Sequence, residues 1–406
     1  PALTLGSNLD TDLDGTPSAF ADGDDVADGM DDEDGITFLT PLIPGQQACI
    51  EIDAVNATGQ PATLYAYLDY DGDCVLAPLF NIPVPAGGLN NYRYCFTVPA
   101  DNSTSGAMAF FRFRLGTNAN EVNVPTGLAM NGEVEDYKAS LYKVGNLVWE
   151  DRNNNGLQDN SEKDLGINGV PVALVYAGAN GTIETDLSTL PSSGGVGAGD
   201  DYILYTTTAS VTFGDGVVTK GIYYFCGLIE GKYDIVFFDP KSGTATLPNN
   251  ISQSVDEDKD SDGLSITVAA NVPKRSHTGL FMLNGDLVKT EAGIGDQDLS
   301  KAPNTNDVLG YPDNRVDQRF DQGYIFLDYG DLPQETELAT AHYNTTLLEN
   351  GPRHLVKPDF YLGASIDAET DGQPDDQAGS GAYGPSEGDD AANNDPAAWK
   401  YGVGND

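Results

Sequence analysis

Residues 151 to 162 read DRNNNGLQDNSE. Asp151, Asn153 and Asn155 stand at alternate positions, Gly156 follows, and Glu162 closes the run, which fits D-x-[DN]-x-[DN]-G-x₅-E throughout. Side-chain oxygens at the first three positions, the Leu157 carbonyl, Asp159 and a chelating Glu162 make a set of hard ligands around a glycine turn, and that chemistry suits Ca²⁺. No helical pattern flanks the run, so it reads as an EF-hand-like loop set in a β-domain rather than a helix-moving switch. A second run, DEDKDSDG, places Asp256, Asp258, Asp260 and Asp262 at alternate positions. Ionised and unpaired they would repel one another, and a divalent cation removes that penalty.

Three further acidic groups stand near strand-like runs: Asp31, Asp32 and Asp34 in DDEDG, Asp69, Asp71 and Asp73 in DYDGD, and Glu133, Glu135 and Asp136 in GEVEDY. They are expected to converge at neighbouring strand ends as a metal site. The chain ends carry Asp10, Asp12 and Asp14 in D-x-D-x-D-G, and Asp367, Glu369 and Asp371 in D-x-E-x-D-G. Both lack the closing acid, where Ala21 and Ala378 stand, so Asp24 or Asp389 would have to supply it. The expected cofactor is therefore Ca²⁺ at several sites.

No catalytic pattern accompanies these groups. The histidines, His277, His342 and His354, are far apart, and H-E-x-x-H does not occur. Paired carboxylates abound, but in a chain this acidic they carry no information about a glycosidase dyad. The expectation is no enzyme. With 63 acidic against 20 basic residues and a net charge of −43, nucleic acid and anionic membranes are excluded as partners by like-charge repulsion. No apolar stretch has the length of a transmembrane helix, so direct membrane insertion is not expected. Pro1 is not a natural start, so the N-terminus reads as processed or as a boundary within a longer chain. Sequons at Asn56, Asn102, Asn180, Asn250 and Asn344 match what an Asn/Thr-rich composition produces by chance.

The elements that must position these groups are strands. The chain has 47 Gly, 23 Pro and 20 Tyr, few amphipathic helical patterns, and many short alternating runs broken by turns. Residues 1–35 read as an acidic leader half-repeat. Residues 36–142 carry ACIEIDAV, TLYAYLDY, NYRYCFTV and AMAFFRFRL as one β-sandwich, with aromatics inward and arginines outward. Residues 143–283 form a second β-unit, in which SSGGVGAG is a surface loop. Residues 284–357 read as an extended connector with little core, with a short helix around ETELATAHYNTTLLEN, and 358–406 as an acidic leader repeat. Of the cysteines Cys49, Cys74, Cys95 and Cys226, the first and third lie in strand-like runs and are the favoured disulfide, with four buried thiols as the alternative.

The ends repeat each other. PALTLGSNLDTDLDGTP at 1–17 aligns without gaps to PDFYLGASIDAETDGQP at 358–374, matching Pro1, Leu5, Gly6, Asp10, Asp14, Gly15 and Pro17 to Pro358, Leu362, Gly363, Asp367, Asp371, Gly372 and Pro374.

The stretch from DDEDG through LDYDGD, TVPAD and FFRFRLGT to GEVEDY, about residues 31–142, resembles the GEVED domain of bacterial secreted proteins. VGNLVWEDRNNNGLQDNSEKDLGINGVPVAL, with GIYYFCGLIEGKYDIVF and DSDGLSITV, resembles the B-type domain of serine-aspartate-repeat adhesins over about 143–283, departing from it by an insertion around 177–218. The isopeptide lysine of related pilin-type domains has no counterpart, so no covalent cross-link is expected. DYGDLP, NGPRH and the 358–374 segment resemble the leader that precedes GEVED domains. Together these resemblances imply an all-β protein of two calcium-binding, Ig-like or prealbumin-like sandwiches with extended acidic connectors at both ends. They imply an extracellular or cell-surface location. The expected function is a structural subunit of a calcium-stabilised fibre, surface layer or matrix that assembles head to tail with copies of itself. The alternatives are an adhesin stalk or module that grips surface glycans or proteins, and an accessory region of a secreted enzyme.

Overall fold

Alternation of apolar and polar residues sets which side of each strand is buried, and in this chain it builds two pairs of facing sheets. The computed structural model describes residues 2–8, 18, 21, 33–100, 108–213, 216–240, 243–245, 261–269, 272, 274–285, 315–330, 344, 346–357, 360, 362, 366 and 368. The first pair uses β1 (Leu3–Leu5), β2 (Ile36–Phe38), β3 (Gln47–Asn56), β4 (Ala62–Asp69), β5 (Ala77–Val84), β6 (Leu89–Thr97), β7 (Met108–Gly116) and β8 (Glu133–Ser140), plus one helical turn, α1 (Ala119–Val122). In one sheet β6 pairs with one edge of β3, while β1 and β2 lie end to end along the other. The other sheet runs β5-β4-β7-β8, all antiparallel. Between them pack Ile50 and Ile52 of β3, Leu64 and Leu68 of β4, and Phe111, Phe113 and Leu115 of β7. Each such side chain contributes about 1.5–3 kcal/mol by leaving water.

Three findings bear on the reading of this region. Cys49 and Cys95 face each other in the β3–β6 register and form a disulfide. The leader is not separate from the first sandwich, because Leu3 and Leu5 of β1 are buried in its core. Arg114 does not point into solvent. It lies on the outer face of β7, but the 121–127 segment folds over it, and its guanidinium donates to the carbonyls of Glu121, Val124, Thr126 and Gly127. Covered carbonyls need donors, and a guanidinium has several in one plane.

The second pair uses β9 (Tyr142–Glu150), β10 (Pro171–Tyr176), β11 (Tyr202–Thr207), β12 (Ala209–Thr212), β13 (Val218–Leu228), β14 (Gly231–Phe238), β15 (Gly243–Ala245), β16 (Leu264–Ile266), β17 (Arg275–His277), β18 (Phe281–Leu283), β19 (Val316–Asp317), β20 (Gln322–Tyr329) and β21 (Arg353–Leu355). One sheet runs β11-β10-β14-β17-β16, with β18 also on β14. The other runs β12-β13-β9-β20-β15, with β19 on β9 and β21 on β20.

Here the expected connector is corrected. Within 284–357, β19 and β20 run parallel to β9 and complete its sheet. Tyr324 is fully buried, and Arg315, Asp317, Gln318, Asp321 and Gln322 are buried beside it. The segment reads as polar because its polar groups are satisfied internally. Arg315 donates to Tyr142 Oη, Asp321 accepts from Leu147 N, and Gln322 donates to Ser261 Oγ. Of the expected helix, Leu347–Glu349 is a 3₁₀ turn, while residues 335–343 lie outside the described residues. Residues 192–199 do form a loop.

The two sheet pairs share a packed junction. Only Leu141, fully buried, separates β8 from β9. Leu42 N donates to Gly227 O, and Tyr70 Oη donates to Leu42 O.

Candidate metal sites

The loop that follows β9 is fastened at its start, where Asp151 N donates to Tyr324 O of β20 at 2.9 Å. Gly156 has φ +73°, the left-handed turn that lets the loop close on itself. Asp151 Oδ2 accepts from Gly156 N at 2.8 Å and Oδ1 from Asn155 N at 3.3 Å. Asn153 Oδ1 accepts from Asn155 N, and Asn155 Oδ1 from Leu157 N. Glu162 folds back, with Oε1 accepting from Arg152 N at 2.8 Å and Oε2 from Asp159 N at 3.2 Å. Asp159 Oδ2 accepts from the amides of Asn153 and Asn155. The six residues singled out in the sequence thus wind around one turn.

Its electrostatics are unusual. Asp151 is 0% and Glu162 1% exposed. Burial raises the pKa of both, and the Asp151 and Asp159 charges raise Glu162 further. Among the described residues, both carboxylates accept hydrogen bonds only from backbone N–H groups. A buried carboxylate without a countercharge is costly. The donors are all carboxylate, amide or carbonyl oxygens, a set that fits Ca²⁺ rather than a metal preferring thiolate or imidazole. The end of the aspartate ladder lies alongside: Ser261 N donates to Gly156 O, and Asp262 Oδ2 accepts from Asp321 N. Asp256, Asp258 and Asp260 lie outside the described residues.

In the first sandwich, the expected three-way convergence divides. Glu135 is fully buried. Its Oε1 accepts from Gly35 N at 3.1 Å and its Oε2 from Tyr137 Oη at 3.0 Å. Glu133 Oε2 accepts from Leu5 N, and Asp34 accepts from Ser7 N and Oγ. DDEDG and GEVEDY therefore meet, around the leader strand β1. Burial, reinforced by the Glu133 charge, pushes the Glu135 carboxyl up to about 9.

Asp69, Asp71 and Asp73 do not join them. Asp69 lies opposite Phe110 of β7 while Glu133 lies opposite Leu115, so the two sit about 17 Å apart along the strand direction. Those three aspartates make their own turn, each offering an oxygen within 4.8 Å of the others. Asp69 is buried and caps Gly72 N and Cys74 N, while Asp71 is half-buried and Asp73 exposed. Asp136, on the opposite face of β8 from Glu135, is held by Arg112 at 2.5–2.7 Å and is a salt-bridge partner rather than a ligand. Asp31, Asp32, Asp10, Asp12, Asp14, Asp367, Glu369 and Asp371 lie outside the described residues, as do Asp24 and Asp389.

Residues 63–140 match the GEVED domain and residues 142–278 the SdrD B-like domain. This chain carries a GEVED domain followed by an SdrD B-like domain. It is 35% identical over 181 residues to serine-aspartate repeat-containing protein F of Staphylococcus epidermidis, covering 42% of this chain and 8% of that protein. It is 34% identical over 131 residues to serine-aspartate repeat-containing protein D of Staphylococcus aureus (strain Newman), covering 32% of this chain and 7% of that protein. The chain therefore spans under a tenth of these relatives, and neither name is that of an enzyme.

The SdrD B-like domain holds one acidic group that the sequence did not reveal. In the 177–218 insertion, Glu184, Asp200 and Asp201 bring one carboxylate oxygen each within 4.8 Å. Asp201 Oδ2 accepts from Glu184 N, Thr185 N and Thr185 Oγ1, while its buried Oδ1 has no hydrogen-bond partner. Asn180 Nδ2 donates to both Glu184 and Asp200. No contiguous motif announces it, because a loop separates Glu184 from the Asp pair. The only signal is Gly-Asp-Asp placed just before a strand.

Proposed function

We propose that this chain is a calcium-stapled, rigid spacer of an extracellular or cell-surface protein, in the manner of an adhesin stalk. The observation that carries the reading is the pair Asp151 and Glu162, two carboxylates buried at a strand-anchored turn with no basic partner among the described residues. Asp151, Asn153, Asn155, the Leu157 carbonyl and Glu162 would hold the ion, with Asp159 at the remaining position. The ion would neutralise the buried charge and tie β9 to β20. Rigidity is supported by the packed junction between the domains, where Leu141 and Tyr142 are fully buried. A surface location is supported by the Cys49–Cys95 disulfide, which belongs to oxidising compartments. Among the described residues, no helix is long and apolar enough to cross a membrane.

The test is metal content and thermal melting with and without EDTA. Calcium at a hundredfold excess over its Kd stabilises by about 2.7 kcal/mol, a rise in Tm of roughly 5–10 °C. The doubly substituted chain Asp151→Asn/Glu162→Gln should lose that rise. Equal melting of the native chain in both buffers, with no bound calcium, overturns the reading. A fibre subunit is the second reading, favoured by the repeat that relates residues 1–17 to 358–374.

A further inference from the structure

The 177–218 insertion covers a face of the second sheet pair that the main core leaves outside. Leu187 and Leu190 pack there with Ala173 and Val175 of β10 and with Val236 and Phe238 of β14. Neighbouring residues of those strands, such as Leu174 and Phe237, point the other way into the main core. Arg275 donates to the carbonyls of Leu187 and Leu190 and holds the covering segment down. The chain then returns to the sheet through Asp200 and Asp201, just before Tyr202, which lies opposite Tyr176 in the β10–β11 pair. Glu184, on the outgoing arm, meets them there, with one carboxylate oxygen of each residue within 4.8 Å of the others. Gly178 and Gly199 have φ +59° and +61°, and a Cβ on them would lie 2.3 Å from Asp200 Cγ and 2.9 Å from Glu184 Oε2. Both arms therefore close directly on the carboxylates.

Three neighbouring acids do not by themselves make a site. The deciding group is Asp201, which is 8% exposed. Its Oδ2 accepts from Glu184 N, Thr185 N and Thr185 Oγ1. Its Oδ1 is sealed from water and accepts no hydrogen bond. Asp69, the buried member of the other three-carboxylate turn, is different. Its Oδ1 accepts from Gly72 N and its Oδ2 from Cys74 N, so donors replace the lost water on both oxygens. At Asp201 they replace it on one oxygen only, and the carboxylate charge, shared by both, stays under-compensated. Among the described residues, no lysine or arginine pairs with Glu184, Asp200 or Asp201. Between Glu184 and Asp200 stands only the neutral amide of Asn180.

We propose that Glu184, Asp200 and Asp201 hold a Ca²⁺ ion of their own, separate from the Asp151–Glu162 loop, and that this ion fastens the insertion to the start of β11. Three carboxylate oxygens are hard ligands, and Ca²⁺ accepts the irregular geometry of two converging arms where Mg²⁺ demands an octahedron. Glu184 is exposed, so water completes the shell on that side. The ion removes the mutual repulsion of the three charges and supplies the countercharge that Asp201 lacks. Its effect is local: without it the arms part, and the segment between them loosens from the sheet.

The test uses calcium and the full chain carrying Glu184→Gln/Asp200→Asn. Equilibrium dialysis should give one calcium fewer per chain than in the native protein. Elastase, which cuts after small residues, should nick the 192–199 loop, where Val196 is 90% exposed, faster in EDTA than in calcium. The variant should be cut equally fast in both. Unchanged stoichiometry, or native cleavage indifferent to calcium, overturns the proposal. Should the double variant not fold, Glu184→Gln alone, at an exposed position, should still abolish the protection, and protection that survives it overturns the proposal. In the Asp151→Asn/Glu162→Gln chain, calcium should go on protecting the 192–199 loop. Loss of protection there would place the effect in the other loop and overturn this proposal while leaving that reading intact.

Discussion

The Asp151–Glu162 loop and the Asp69–Asp73 turn use the same chemistry, acids spaced around a glycine turn after a strand, yet their surroundings differ. In the loop, both end carboxylates are withdrawn from water and their hydrogen bonds run to backbone N–H groups. In the turn only Asp69 is buried, where it caps two N–H groups, while Asp71 and Asp73 keep access to solvent. Acid spacing alone therefore does not decide whether a turn requires a cation. The number of carboxylates that must lose their water does, because desolvation is what a bound ion offsets.

The effect that would most directly sharpen this contrast is a change of sign at Glu162. Glu162→Gln keeps an acceptor toward Arg152 N but removes the buried charge. With calcium present it should destabilise by about 3 kcal/mol, through loss of the closing ligand. In EDTA it should be neutral or stabilising, because the raised carboxyl pKa marks a charge the fold already disfavours. Calorimetry in both buffers checks this. A loss of similar size in EDTA would mean that Glu162 acts through its hydrogen bonds, and the contrast with Asp69 would break.

A second effect tests whether the GEVED acids belong with the loop or with the turn. Glu135 titrates at about 9, above the ordinary carboxylate value, because of burial and then the Glu133 charge. A folded-state pKa above the unfolded one gives stability that is complete below about pH 4.5 and is lost as pH rises through 9. Without metal, the chain should lose on the order of 5 kcal/mol between pH 5 and 9 through this group, and Glu135→Gln should flatten the profile. If calcium also flattens the native profile, Glu133 and Glu135 share an ion as the loop does. If only the substitution does so, Glu135 is a protonated core group bridging Gly35 and Tyr137.

What was legible in the chain follows from range. The 151–162 ligands are contiguous, so their spacing alone placed them around one turn. Cys49 and Cys95 were legible as strand residues, and the β3–β6 register sets them face to face. GEVEDY and DYDGD were both recognisable as strand-end acids, but which end of the sheet each occupies depends on strand direction, and β4 ends where β8 does not begin. The β20 segment was the hardest to read. It pairs parallel to β9 with Gln322 opposite Val148, far away in sequence, and it buries polar residues that satisfy one another. Hydropathy cannot separate that from a solvated connector. Arg114 failed for a related reason, since alternation assigned its face correctly but could not reveal the loop that covers it.

The smallest effect concerns the turn itself. Asp69→Asn keeps an oxygen for one of the Gly72 and Cys74 N–H groups and should cost about 1 kcal/mol, the scale of a single hydrogen bond. Burial raises the Asp69 pKa against the pull of those two N–H groups, so part of even this loss should vanish at low pH, where the native carboxyl is protonated. Asp71→Asn and Asp73→Asn should each stay within about 0.5 kcal/mol, as accessible substitutions usually do. Calcium should not change any of the three values. If calcium instead stabilises the native chain more than Asp69→Asn does, by calorimetry on a chain already carrying Glu162→Gln, then this turn binds an ion despite its exposure. Withdrawal of carboxylates from water would then no longer be what separates the two regions.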